Sequence, residues 1–207
     1  MLNRLFRKNK LANALWQDDL NLLLKAIRAG EDINAPLHLS ADEIHARPAV
    51  EHALRREQAA CLQKLLEAGA LLPEEDNEGT LLLSVAINTH KDALSLTTHL
   101  LQAGANANAN EGEPLFACLA LDDDNLTMLL INRLLQYGAD LNDYRRNDLS
   151  ALALLICQER TMLVGTLISA GAVLPENLDL LACSDSIKQF AHRKASDIAI
   201  QKLFLAT

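Results

Sequence analysis

The strongest constraint on this chain is a short phrase that recurs at a nearly fixed interval. Each copy has two small or apolar residues, two residues of mixed type and a closing glycine, at Gly30, Gly69, Gly104, Gly138 and Gly171. The intervals between these glycines are 39, 35, 34 and 33 residues. A period near 33 residues is typical of proteins built by repeating one supersecondary unit. Glycine reaches the left-handed conformation without a steric penalty, so each phrase predicts the end of a helix.

Apolar residues upstream of each glycine predict two helices per repeat. In the third repeat, Leu81 and Val85 fall on one helical face, and Leu96 and Leu100 fall on a second one. In the fourth repeat, Pro114 stands where a helix is expected to begin, and proline suits the first turn because its missing N–H has no intrahelical partner there. The chain is therefore predicted to be all-α.

The repeats also predict how the chain is organised. No long stretch rich in Ser, Pro and Gly interrupts the pattern, which favours a single continuous domain over residues 1–207. Within it, residues 1–36 are predicted to be an N-terminal capping unit, residues 37–172 the central repeats and residues 173–207 a C-terminal capping unit. The last segment mixes apolar and charged residues, as expected for a terminal unit whose outer side meets water.

Several local predictions concern the less regular segments. The first helix pair is expected to break near Asp18-Asp19. Ser40 and Glu43 have the spacing of a capping box, which predicts a short helix over 41–46. In the terminal unit, Pro175-Glu176-Asn177-Leu178 is expected to open one helix, and the segment 195–204 is expected to form the last one.

The charge of the chain restricts its partners. The first ten residues hold four basic groups and no acid, whereas the other 197 residues carry 15 bases against 27 acids, a net charge of −12. An acidic body repels phosphate backbones, so nucleic acid is not expected as the main ligand. The same charge favours a basic protein partner, although a role in solubility alone is equally consistent with it.

Targeting signals and cysteines predict a cytoplasmic protein. The basic start of the chain is not followed by an apolar segment long enough for a signal peptide or a membrane span. An N-terminal amphipathic helix on anionic lipid is one alternative, and a first helix packed on its neighbours is the other. The four cysteines are far apart and form no C-x-x-C pair, which predicts buried, reduced thiols in a reducing compartment.

The pattern resembles ankyrin repeats. The endings carry the resemblance: Gly138-Ala139-Asp140-Leu141-Asn142 nearly matches the family's Gly-Ala-Asp ending, and Gly104-Ala105-Asn106-Ala107-Asn108 is close to it. The family's Thr-Pro-Leu-His helix start is degraded here. Glu113-Pro114-Leu115-Phe116 keeps the Pro-Leu pair, and the matching histidine is missing from every repeat. The resemblance covers about residues 12–207.

The resemblance implies a fold and a class of function. The fold would be an all-α solenoid of stacked antiparallel helix pairs with projecting β-turn fingers. The function would be non-catalytic protein–protein interaction through the finger tips and the concave inner helices, by a monomer that binds neither nucleic acid nor membrane. An inhibitor or immunity protein that blocks a basic toxin or enzyme is the alternative, and steep salt dependence of association would favour it.

One finger stands out as a candidate binding site. The interval from Gly138 to Ser150 has the family's usual length, and its tip is Asp143-Tyr144-Arg145-Arg146-Asn147-Asp148. This is the one Arg-Arg pair predicted in a projecting turn of an acidic protein. Because Tyr and Arg are enriched at binding hot spots, we expect Tyr144, Arg145, Arg146 and Asn147 to contact the partner. A solvated turn without a partner is the alternative.

A second candidate is the acidic link inside the fourth repeat. Asp122, Asp123 and Asp124 are consecutive and lie between the two predicted helices. They are predicted to receive Lys or Arg side chains from a partner. The alternative is helix capping, since acids near a helix N-terminus stabilise it by about 0.3–1 kcal/mol each.

No catalytic, cofactor or metal site is predicted. The six histidines show no ligand spacing with cysteine or acid, whereas a zinc site needs three or four convergent ligands. The sequence lacks a Gly-rich phosphate loop and a G-x-S-x-G nucleophile motif. The three aspartates lack the residue pattern of an EF-hand loop.

Overall fold

The computed structural model describes residues 9–39, 43 and 45–205, and these residues are all-helical. They form eleven α-helices, one short 3-10 helix and three isolated antiparallel bridges, with no extended strand among them. The chain divides into two compact units, the first ending at Asn106 and the second beginning at Ala107. The predicted all-α class is confirmed for the described residues.

Helices in the first unit come in three pairs. They are α1 (Lys10–Gln17), α2 (Leu20–Arg28), α3 (Ala49–Arg55), α4 (Ala59–Glu67), α5 (Leu82–Ile87) and α6 (Ala93–Gln102). Each odd-numbered helix contacts the even-numbered helix that follows it. The odd helices also contact one another in chain order, and so do the even ones. The unit therefore has two layers of helices, as a repeated helix pair requires.

Helices in the second unit follow the same order of contacts. They are α7 (Ala109–Leu119), α8 (Asp124–Gln136), α9 (Ala151–Cys157), α10 (Thr161–Ser169), a 3-10 turn (Leu178–Leu180) and α11 (Asp185–Leu205). Helix α7 contacts α8 and α9, and α10 contacts α8, α9 and α11. The first residues of α7 are irregular, because Asn110, Glu111 and Gly112 all have positive φ. Regular helix begins only at Glu113, which places Pro114 in its first turn as predicted.

The five recurring glycines end helices in the left-handed conformation, as predicted. Their φ angles lie between 75° and 106°. After Gly138, the N–H of Ala139 reaches back to the carbonyl of Leu134 at 3.0 Å, which satisfies a carbonyl that the helix end would otherwise leave without a partner. The break after α1 is also confirmed, since Asp18 has a φ of 54° and Asp19 caps α2.

Asparagine side chains link successive glycine turns within each unit. Three asparagines each lie four residues after a cap glycine. The side chain of each accepts a hydrogen bond from a backbone N–H that lies two residues after the next cap glycine in the chain. These bonds are Leu71 N to Asn34 Oδ1, Asp140 N to Asn108 Oδ1 and Val173 N to Asn142 Oδ1, each 2.8 Å long. Two of these N–H groups belong to exposed residues, Leu71 and Val173, so the asparagines order backbone that lies at the surface.

Leucine and alanine fill the core. The prediction that the four cysteines are buried is confirmed for two of them only. Helices α1 to α10 each bury a stripe of these residues, and Leu15, Leu62, Leu100, Leu134 and Leu167 are fully inaccessible. Cys61 and Cys118 are buried as predicted, but Cys157 and Cys183 are only half-buried. Cys157 is the last residue of α9, and Cys183 lies in the turn ahead of α11.

Two further predictions concern the terminal unit and the segment near Ser40. The terminal unit was expected to hold two helices, but only a 3-10 turn follows Pro175, and α11 begins at Asp185 rather than near 195. The first half of α11 holds its two buried residues, Ile187 and Ala191, which is too sparse an apolar pattern to signal a helix. Ser40 and residues 41, 42 and 44 lie outside the described residues, and the described part of the predicted helix over 41–46, residues 43, 45 and 46, is not helical.

Candidate functional site

All seven predicted contact residues lie in the second unit, in two segments. Tyr144, Arg145, Arg146 and Asn147 belong to the segment 142–149, called the basic turn below. Asp122, Asp123 and Asp124 lie in the link between α7 and α8.

The basic turn is a tight hairpin held by its own backbone. Arg146 and Leu149 exchange two hydrogen bonds of 2.9 and 3.0 Å. Between them Asn147 and Asp148 have φ angles of 51° and 63°. Two consecutive positive φ angles define a two-residue turn that favours Asn, Asp and Gly, so the sequence suits this conformation.

Asp140 fixes the entry to the basic turn. Its Oδ1 accepts hydrogen bonds from the N–H groups of Asn142 at 2.6 Å and Asp143 at 2.9 Å. These two bonds hold the pKa of the Asp140 carboxyl below its usual range. The carboxylate thus stays ionised at neutral pH and orders the backbone ahead of Tyr144.

Tyr144 packs against the start of α7. A Cβ atom added to Gly112 would lie 2.6 Å from Cδ2 of the Tyr144 ring, so the ring occupies space that only glycine leaves open. Gly112 also has a φ of 76°, a conformation that other residues rarely adopt. Tyr144 is therefore half-buried, and part of its ring already has an intramolecular partner.

The two arginines are exposed, and each has an intramolecular contact. The guanidinium of Arg145 donates through Nη1 to the carbonyls of Asn142 and Tyr144, the latter at 3.0 Å. The guanidinium carbon of Arg146 lies 4.8 Å from the centroid of the buried Phe116 ring, a cation–π contact. Each guanidinium thus has a contact within the protein, while both residues remain exposed.

A groove of about 340 Å3 runs beside the basic turn. Its lining combines the turn, through Arg145 and Asp148, with the segment that follows the next glycine cap, through Val173 and Glu176. The groove has polar and apolar walls and both signs of charge. A peptide segment of mixed character fits such a surface better than an apolar ligand does.

The three aspartates of the link serve different purposes. Asp122 is exposed. Asp123 caps α8, accepting hydrogen bonds from the N–H groups of Asn125 at 2.8 Å and Leu126 at 3.1 Å. Asp124 pairs with Arg160, whose Nη2 lies 2.5 Å from its Oδ1. Capping is thus observed for Asp123, which is exposed like Asp122, whereas Asp124 is half-buried and paired with Arg160.

Arg160 ties this link to the next helix pair. Besides Asp124, it donates to the carbonyl of Leu119 at 2.8 Å and to Oγ1 of Thr127 at 3.3 Å. The first unit uses Gln58 at the same place before α4, where its Nε2 donates to the carbonyl of Leu15 at 2.7 Å. The guanidinium of Arg160 in the second unit and the amide of Gln58 in the first therefore each donate to a carbonyl near the end of an earlier helix.

A buried ionic network in the first unit was missed by the sequence analysis. Glu51 is only 1% exposed and accepts hydrogen bonds from Arg47 and Arg55, each at 2.8 Å. Arg55 also pairs with the buried Asp76. The sequence pattern did not reveal this network, because charges spaced four residues apart, as at 47, 51 and 55, are also common on solvent-exposed surfaces.

Asp76 belongs to a second hairpin, residues 74–81, called the acidic turn below. The carboxylate of Asp76 accepts hydrogen bonds from the N–H groups of Glu78 at 2.8 Å and Thr80 at 2.9 Å. Burial opposes its ionised form, but these bonds and the neighbouring arginines keep its pKa below the usual range. His52 bonds the carbonyl of Leu37 through Nε2 at 2.9 Å, and burial lowers its pKa.

Neither a metal-binding set of side chains nor a membrane-spanning helix occurs among the described residues. Within residues 9–39, 43 and 45–205, no three His, Cys, Asp or Glu side chains converge as a metal-binding set. In the same part of the chain, every helix is too short or too polar to cross a bilayer.

Comparison with known proteins identifies no family. No model of a known protein family matches the chain, and no curated protein is significantly similar to it. The resemblance to ankyrin repeats therefore rests on the sequence motifs quoted above.

Proposed function

We propose that this chain is a divergent ankyrin-type repeat protein whose function is to bind another protein. The recurring left-handed glycine caps, the pairing of successive helices and the hairpin at the basic turn all support this proposal. It is a non-catalytic role, carried out by a monomer in the cytoplasm. The observation that carries it is a pair of exposed arginines on a turn whose backbone is already fixed.

Fixing a binding surface in advance strengthens association. Binding usually costs about 0.5–1.5 kcal/mol for each flexible side chain that becomes ordered. Arg145 is tied to two carbonyls of its own turn, and Arg146 is stacked on Phe116, so part of this cost is met during folding. Arg and Tyr are also the residue types that most often dominate binding energy. The basic turn is therefore the best candidate for the centre of an interface.

An alternative is that the chain inhibits a basic toxin or enzyme. The formal net charge of −8 favours this, as do the exposed side chains of Glu74 and Glu78 on the acidic turn and of Asp122 on the link. Acidic surfaces speed the capture of basic proteins, and the gain disappears as salt screens the charges. An association rate that falls steeply between low and high salt would favour this alternative.

The proposal can be tested by affinity capture with charge-matched variants. One bait is wild type and the second carries Arg145→Glu and Arg146→Glu. The third carries Arg193→Glu and Lys194→Glu on α11, which changes the net charge by the same amount elsewhere in the second unit. All three are first compared by circular dichroism, so that only equally helical samples are used.

The expected partner binds to wild type and to the α11 variant but not to the Arg145/Arg146 variant. Equal binding to all three baits would contradict the placement of the site on the basic turn. Equal loss with both variants would show that net charge alone governs binding. Binding by no bait above an unrelated control protein would contradict the binding function itself.

A further inference from the structure

An exposed tryptophan marks another surface, in the first unit. Trp16 lies in the last turn of α1 and is the only tryptophan of the chain, yet it is 50% exposed. Burying a tryptophan at an interface contributes strongly to binding, and this residue type is enriched at binding hot spots. The function proposed for the basic turn makes no use of this side chain.

Arg56, directly after α3, joins the tryptophan to the next helix pair. Its guanidinium carbon lies 5.1 Å from the centroid of the Trp16 ring, and its Nη2 donates to the Trp16 carbonyl at 3.1 Å. A guanidinium can stack on a ring and still direct the donors at its edge to a carboxylate. Arg56 is exposed, and it has no ion pair in the part of the chain that the structure describes.

The link between α5 and α6 adds a further exposed cation, Lys91. The carboxylate of Glu57, the residue after Arg56, accepts hydrogen bonds from the N–H groups of His90 and Lys91, each at 3.0 Å. Hydrogen bonds thus join the links of the three helix pairs of the first unit in a row. The side chains of Trp16, Arg56 and Lys91 are called the link surface below.

Acidic residues lie at the same links, but two of them are occupied by backbone groups. Asp19 accepts a hydrogen bond from the N–H of Leu22 at 3.0 Å, and Glu57 accepts the two bonds described above. Asp18 and Asp92 are exposed, and neither forms an ion pair among the described residues. The cations of the link surface are therefore available to a carboxylate from outside, while these two aspartates limit its affinity.

The link surface is separate from the glycine caps of the same unit. The links precede α2, α4 and α6, whereas the caps at Gly30, Gly69 and Gly104 follow these helices. Helix α2 has nine residues and therefore spans about 13 Å. A partner on the link surface contacts the end of each helix pair that the glycine-cap turns do not occupy.

We propose that the link surface is a docking site for an acidic segment of another protein, in which a carboxylate stands next to an aliphatic or aromatic side chain. The carboxylate binds the guanidinium of Arg56, and the neighbouring side chain packs on the exposed part of the Trp16 ring. A second carboxylate binds Lys91. Hydrogen bonds between ionised groups are about twice as strong as neutral ones, which favours carboxylates over amides here.

The test is a titration of the full chain with a twelve-residue peptide that repeats Glu-Leu-Glu, against a control peptide that repeats Gln-Leu-Gln. Fluorescence anisotropy of labelled peptide measures the affinity. The emission of Trp16, recorded with unlabelled peptide, shows whether the link surface is contacted. We expect saturable binding of the acidic peptide below about 1 mM with a change in Trp16 emission, and binding of the control at least about ten-fold weaker.

Arg56→Met and Arg28→Met are the matched variants, first compared with wild type by circular dichroism. Each removes one exposed arginine of the first unit, but Arg28 is the last residue of α2 and lies at its other end. Methionine packs on Trp16 without offering a donor, so Arg56→Met should weaken binding about ten-fold. Arg28→Met should change it by less than about two-fold.

Four results would overturn the proposal. They are no saturable binding by wild type, equal binding of the two peptides, equal affinities of the two variants, and binding that leaves Trp16 emission unchanged. Binding at the basic turn alone gives the last result and is lost with Arg145→Glu and Arg146→Glu. If the link surface is the site, that double variant retains the Trp16 response. The wild-type emission decides the question even where a variant fails to fold.

Discussion

The acidic turn of the first unit and the basic turn of the second are both short hairpins, yet they place their charges in opposite ways. In the acidic turn, Asp76 is buried and paired with Arg55, which also bonds the buried Glu51. In the basic turn, Arg145 and Arg146 remain exposed, and their intramolecular partners are carbonyl groups and an aromatic ring.

This difference separates charged side chains that are paired within the fold from charged side chains that remain available to a partner. Charges taken out of water must be paired, so the arginines beneath the acidic turn are committed to Glu51 and Asp76. The arginines of the basic turn face no carboxylate at ion-pair distance within the described residues. A partner's carboxylate can therefore bind them without displacing one that is already present. Sequence composition alone did not separate these two cases.

The largest effect is expected from removing the cation beneath the acidic turn. Arg55→Met would leave Glu51 short of one partner and Asp76 without its closest one, and should lower the free energy of unfolding by about 3 kcal/mol. Trp16 is the only tryptophan of the chain and lies in the first unit, so its fluorescence in urea reports this loss. Arg28→Met, on an exposed site, is the control and should change stability by less than about 0.5 kcal/mol. Equal effects of the two substitutions would contradict the buried network.

The next effect concerns the support of the basic turn. Gly112→Ala places a Cβ against the Tyr144 ring at a positive φ and should cost about 2 kcal/mol. The double variant with Tyr144→Ala separates the two causes, since only the backbone strain of about 1 kcal/mol should remain when the ring is absent. Both tyrosines of the chain lie in the second unit, so near-ultraviolet circular dichroism follows it in the single variant. Strictly additive costs would show that the ring and the glycine do not interact.

A smaller effect is expected from pH on the stability of the first unit. Burial lowers the pKa of His52 below that of an unfolded histidine, near 6.5, so the unfolded state binds more protons between these two values. Stability of the first unit should therefore fall as the pH decreases from 7 through this window. His52→Gln keeps a donor for the carbonyl of Leu37 and should remove the slope. The second unit has one histidine, His192, which is exposed, so it offers no buried counterpart of His52.

The smallest effect is expected where the charge is exposed. Arg146→Met removes the contact with Phe116, and an exposed cation–π pair contributes about 0.5–1 kcal/mol. The methionine side chain retains part of the packing on the ring, so the loss of stability should be near the lower limit. Urea denaturation followed at the tyrosines measures it. A loss above about 2 kcal/mol would make Arg146 a structural residue and weaken its role in binding.

The sequence predicts the repeated elements well because their signals are local. Glycine caps at Gly104 and Gly138 and the leucine stripes depend on neighbours in the chain. The burial of Glu51 could not be predicted, because it depends on Arg47, Arg55 and Asp76 meeting in three dimensions.

Other features escaped for related reasons. The contact between Gly112 and Tyr144 joins residues of two repeats, and no local pattern reports it. Helix α11 has only Ile187 and Ala191 buried, so its apolar periodicity is too weak to show where it begins. Of the candidate site, the identity of the exposed arginines was predicted, whereas their fixed positions required the fold.

The most direct test of the account is to compare the affinity of the captured partner for variants of the two turns. Arg145→Glu with Arg146→Glu alters the basic turn, and Glu74→Lys with Glu78→Lys alters the acidic one. If the basic turn is the binding site, the first pair should weaken binding by about 30-fold or more, as expected for hot-spot residues, and the second should change it by less than about three-fold. Weak binding by the acidic-turn variant, with unchanged binding by the basic-turn variant, would contradict the account.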